Sequence, residues 1–97
     1  MPHDETWIIR KPAVESNGGI VTAQHEIAAR VGADVLARGG NAVDAAIATA
    51  FALASVEPWM SGLGGCGFMV VHLASKQRTF ALEFGVKAPL NLDPADF

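Results

Sequence analysis

The sequence predicts an α+β unit, a two-helix hairpin followed by a β-hairpin, and three observations carry that prediction. Between residues 25 and 38 the apolar side chains recur at helical spacing. From Ala42 to Val56 a second helical stretch is apolar on every face, with Asp44 its only charge. After a glycine-rich run, Phe68 to Leu73 and Thr79 to Phe84 read as two strands around the polar turn Ser75-Lys76-Gln77-Arg78.

Each element has its own grounds. Residues 1–17 carry charge, two prolines and little pattern, and read as an irregular arm in which Trp7-Ile8-Ile9 anchors onto a neighbouring surface. Gly18-Gly19 is a turn, and Ile20 to Ala23 is a short strand or an extended lead-in. The first helix is expected from about His25, its cap, to Arg38. Ile27, Val31 and Val35 stand at i, i+4 and i+8, and Ala28 and Leu36 widen the stripe. Glu26, Arg30, Asp34 and Arg38 recur on the wet side, where such pairs contribute weakly. Gly32 costs roughly 1 kcal/mol relative to alanine inside a helix. Close approach of the next helix is the reason the sequence suggests.

Gly39-Gly40 suits a left-handed helix end, and Asn41 with Asp44 three residues on suits a capping box. The second helix therefore starts at Asn41 and stops before Pro58. About 15 residues at ~1.5 Å each give ~23 Å, short of a ~30 Å bilayer core. An all-round apolar helix of that length expects protein on every side. The strand from Phe68 is apolar on both faces, which implies cover on both sides of its sheet. Residues 85–92 read as irregular. Asp93 caps a further turn with Pro94 at its first position, and the sequence ends at Phe97. Two helices and a hairpin cannot enclose these faces, so the chain reads as the N-terminal piece of something longer.

Composition excludes several roles. With 97 residues the chain makes one domain at most, and with 51% hydrophobic residues it is not a disordered segment. A net charge of −3 without a basic cluster argues against nucleic acid or an anionic membrane as partner. One cysteine excludes an internal disulfide framework. The opening MPHDETWIIRKPAVES has no apolar core of signal-peptide length, which leaves the cytoplasm as the default expectation.

The candidate chemistry is sparse. Ser61-Gly62-Leu63-Gly64-Gly65-Cys66-Gly67 invites a phosphate-loop reading, but here the glycines follow a helix and precede a strand. Phosphate loops run strand, glycines, helix, and no Lys-Ser/Thr follows. A tight turn beside a site is the better reading. Cys66 has no base or cation near it in sequence to lower its pKa, and reads as a small buried side chain rather than a nucleophile. His3, His25 and His72 lack metal-ligand spacing, and neither a metal nor a cofactor is expected. Glu57 reads as a solvated or locally bonded carboxylate at a helix end.

Several blocks together resemble the start of the γ-glutamyltranspeptidase family. They are Gly19-Ile20-Val21, Gly32-Ala33-Asp34-Val35-Leu36, Gly39-Gly40-Asn41-Ala42-Val43-Asp44-Ala45-Ala46, Glu57-Pro58, Ser61-Gly62-Leu63-Gly64-Gly65 and Gly67-Phe68-Met69. The likeness runs from about residue 10 to residue 97. It implies a fragment of an N-terminal-nucleophile hydrolase with an αββα sandwich. Such a proenzyme cuts itself into a large and a small subunit. The threonine freed at the small subunit's N-terminus attacks a γ-glutamyl amide such as glutathione, and its own amine can activate the hydroxyl. No catalytic residue then lies in this chain, and its partners are the remainder of the large subunit and the small subunit.

The resemblance also marks departures. Where the family's pattern reads acidic, any, Arg, Glu, any, Ala, Pro, this chain reads Glu83-Phe84-Gly85-Val86-Lys87-Ala88-Pro89. Gly85 stands at the arginine that would hold a substrate carboxylate, and Cys66 stands where glycine is usual. Lys87 shares a face with Gly85 in an extended backbone and is the candidate replacement, a point charge for the carboxylate. A solvated lysine is the plainer alternative. The resemblance leaves open an amidohydrolase of the same fold acting on another small amide, such as oxamate or an acylated β-lactam. The residues alone leave open a non-catalytic α/β module that binds a partner through its apolar surface. A self-processing threonine downstream marks the enzyme.

Overall fold

The computed structural model describes residue 8 and residues 10–97. The elements run α1 (Glu26–Ala37), α2 (Ala42–Val56), β1 (Gly67–Leu73) and β2 (Arg78–Phe84), with a 3-10 turn at Ala74–Lys76 and another at Pro94–Asp96. Of the arm at residues 1–17, Trp7 and Ile9 lie outside the described residues. Ile8 is exposed, and residues 10–16 form neither helix nor strand.

Local sequence chemistry sets the helix ends. His25 caps α1, its Nδ1 accepting from Ile27 N at 3.1 Å. Arg30 Nη2 donates to Glu26 Oε1 at 2.6 Å, the one ion pair among the described residues. Both side chains are exposed, so it contributes about 0.3–0.5 kcal/mol. Gly39 takes φ +92° after the last turn. That conformation lets Gly39 N reach Leu36 O at 3.0 Å and Gly40 N reach Val35 O at 2.9 Å, the paired bonds of a Schellman end. At Asn41 the expected capping box forms: Asn41 Oδ1 accepts from Asp44 N at 2.9 Å, and Asp44 Oδ2 accepts from Asn41 N at 3.0 Å. Exchanging such a cap for alanine typically loses about 1 kcal/mol.

The helices cross where their side chains are smallest. A Cβ added at Gly32 would collide with Thr49 Oγ1, and would meet Val21 Cγ1 at 2.9 Å and Ala45 O at 3.1 Å. Close approach therefore explains the glycine inside α1. Among the described residues Ala28, Gly32, Ala45 and Thr49 are the buried set, and they all belong to this helix pair. Thr49 Oγ1 is buried without a hydrogen-bond partner.

The β-hairpin is antiparallel, with Leu73 opposite Arg78 and Gly67 opposite Phe84. Its turn is tighter than the sequence reading placed it. Gln77 adopts a left-handed φ of 50°, and Gln77 N donates to Ala74 O at 3.2 Å. That closes the turn one residue early, so Arg78 joins the strand. The Arg78 guanidinium lies 4.8 Å from the centre of the Phe80 ring, a contact of about 0.5–1 kcal/mol at an exposed site. Across the ladder, His72 Nδ1 and Thr79 Oγ1 share a hydrogen bond of 2.9 Å. Ile20 to Ala23 forms no strand and passes as extended backbone beside the helices. Asp93 Oδ1 accepts from Ala95 N at 2.9 Å, the expected cap of the last turn.

The cover expected for α2 and for both sheet faces is not supplied by these elements. On α2, Ile47 and Phe51 remain exposed. On β1, Met69, Val71 and Leu73 are half-buried, whereas Phe68 is 81% and Val70 75% exposed. The reason is geometric: α1 packs on α2 at Ala45 and Thr49, and among the described residues no element lies over the outer face of the hairpin. Among the described residues no helix is long and apolar enough to cross a membrane.

The crossing generates a test. In a chain long enough to unfold cooperatively, Gly32→Ala lowers stability by about 1–2 kcal/mol, because overpacking outweighs the helix-propensity gain. Much of that loss disappears in a Thr49→Ala background. Denaturant titration of the four variants of the cycle checks both, and a stabilising Gly32→Ala contradicts the close crossing.

Candidate functional site at the open end of the hairpin

The ladder stops at the Gly67–Phe84 pair. The glycine loop therefore enters the sheet, and the Gly85 segment leaves it, at one end, away from the Ala74–Gln77 turn. This juxtaposition brings together residues 17 or more apart in sequence: Ser61, Cys66 and Gly67 on one side and Phe84 on the other, with Gly85 following it.

Three local features shape this end. Glu57 ends α2, and its carbonyl accepts from Met60 N at 3.0 Å and Ser61 N at 3.1 Å. That turns the chain after Pro58 back towards the helix. Gly65 N then donates to Gly62 O at 3.3 Å, which folds the glycine run on itself. Finally the Phe84 ring lies over Gly67: a Cβ there would meet two ring carbons at 2.7 Å. Between the loop and the second half of α2 runs a groove of about 340 Å³, lined by Phe51, Ala54, Ser61, Leu63, Cys66 and Phe84 among others. A larger groove of about 620 Å³ lies between residues 18–23 and α2. It carries no ionisable side chain, so the smaller one is the chemically richer place.

The sequence-predicted residues fall unevenly around this end. Cys66, expected to be buried, is exposed. Its loop stands off α2 across the groove, and no described element covers it. A side chain at Gly85 would have open space, with nothing within 4 Å of an added Cβ. Lys87 is exposed on irregular backbone, and no carboxylate of the described residues pairs with it. His25 is a helix cap and His72 a cross-strand partner, and the structure brings neither to this end. Among the described residues no group of three or more His, Cys, Asp or Glu is placed to hold a metal ion. Among the described residues no base stands next to a nucleophile here, and what the arrangement offers is a groove wall built from the loop, the second half of α2 and Phe84. Phe84 was missed as a wall residue. Its signal was the hairpin register, which a correctly placed turn would have carried to Gly67.

Two helices meeting at a glycine contact, followed by a glycine loop and an antiparallel hairpin, make an α+β fragment. Comparison with known proteins narrows that class. A family model described as gamma-glutamyltranspeptidase matches residues 28–97, and the chain belongs to this family. A glutathione hydrolase proenzyme of Pseudomonas sp. strain A14 is 53% identical over 79 residues, covering 81% of this chain and 13% of that protein. An acylase ACY 1 proenzyme of Pseudomonas sp. strain V22 is 48% identical over 65 residues, covering 67% of this chain and 12% of that protein. The crystal structure of Helicobacter pylori gamma-glutamyltranspeptidase superposes with a TM-score of 0.75 at 44% identity, covering 84% of this chain and 23% of the other. The chain thus spans only a small part of the relatives it matches.

The exposure of Cys66 is directly measurable. A water-soluble disulfide reagent should titrate one thiol per isolated 97-residue chain, without denaturant and as fast as a free thiol peptide. Labelling that needs denaturant contradicts the open groove.

Proposed function

We propose that this chain forms part of the large subunit of a self-processing amidase that transfers or hydrolyses γ-glutamyl groups, with glutathione as the reference substrate. The observation that carries the reading is the match to the family over residues 28–97, together with the same helix pair and hairpin in a solved family member. In this reading the nucleophile is a threonine outside the chain. Its amine takes the hydroxyl proton, the oxygen attacks the amide carbon, and an ester acyl-enzyme forms as the C–N bond breaks and the leaving amine takes up that proton. Water or an amino acid then accepts the acyl group. The present residues supply no proton transfer. Their part is to build the wall at the open end of the hairpin and to back the sheet, in contact with the remainder of the large subunit and with the small subunit.

Within that proposal Gly85 and Lys87 face the substrate. Gly85 removes the bidentate guanidinium that the family pattern carries, and Lys87 answers a carboxylate as a point charge. What supports this is the open space at Gly85 and the unpaired, exposed ammonium two residues on. The same substitution favours a second reading, hydrolysis of an amide without an α-carboxylate. An acylase ACY 1 proenzyme among the similar proteins supports it.

The experiment is expression of the complete reading frame, mass spectrometry of the product, and a panel of small amides. The proposal expects two fragments, the smaller beginning with threonine, and release of glutamate or another acyl product. An intact chain inert on the whole panel overturns it. In the active protein, Lys87→Ala should raise KM for a carboxylate-bearing amide about tenfold, the size of one charge-assisted bond, with kcat nearly unchanged. Gly85→Arg should lower KM for a γ-glutamyl amide. An unchanged KM in Lys87→Ala removes the lysine from the site and leaves the enzyme reading standing.

A further inference from the structure

We draw no further inference here: the strongest candidate, the outer face of the β-hairpin where Phe68, Val70 and Ala81 surround the His72–Thr79 hydrogen bond, carries nothing because nothing in the structure shows what covers it.

Discussion

The contact of α1 with α2 at Gly32 and Thr49 is the constraint on which the remaining arrangement depends. It is the one place where these residues exclude water from both sides. Ala28, Gly32, Ala45 and Thr49 fill it, and none is larger than threonine. Burying such small side chains yields little: the hydrophobic return is about 25 cal/mol per Å² of apolar surface, and these side chains have little surface to give. The surface tells the same story. A compact protein of 10.1 kDa exposes about 5,300 Å² by the usual scaling with mass, whereas this chain exposes 8874 Å². The excess is apolar where it matters, at Ile47, Phe51, Phe68, Val70 and Leu82. Helix pair and hairpin are therefore two well-formed pieces that leave large apolar side chains uncovered.

That constraint also orders the candidate site. With α2 held by α1 along one stripe, its second half is free to wall a groove against the glycine loop. The hairpin register then sets Phe84 over Gly67, and the chain leaves the ladder at Gly85. None of these groups performs bond chemistry by itself. Their placement suits a scaffold that shapes one wall of a groove.

Much of this was legible in the sequence because it is local. Asn41 and Asp44 could be read as a reciprocal cap, and Gly39-Gly40 as the preceding helix end, since each uses atoms within a few residues. Gly32 could be read as a close approach because a mid-helix glycine is otherwise a loss. The turn was misplaced by one residue because it relies on Gln77 at positive φ, which few side chains adopt and no pattern announces. The exposure of Cys66 was illegible for a different reason. Burial is a property of what lies over a residue, and no described element lies over Cys66. The proposed pair Gly85 and Lys87 emerged from likeness to a family motif, and periodicity alone would have left them in an irregular stretch.

The most direct measurement is hydrogen exchange, combined with thermal unfolding, on the isolated 97-residue chain. The account predicts a broad, non-cooperative transition and amides from Ala42 to Val56 that exchange within seconds, because one small helix contact cannot offset the chain entropy of ordering them. A compact monomer that melts sharply and keeps those amides protected for hours would contradict it.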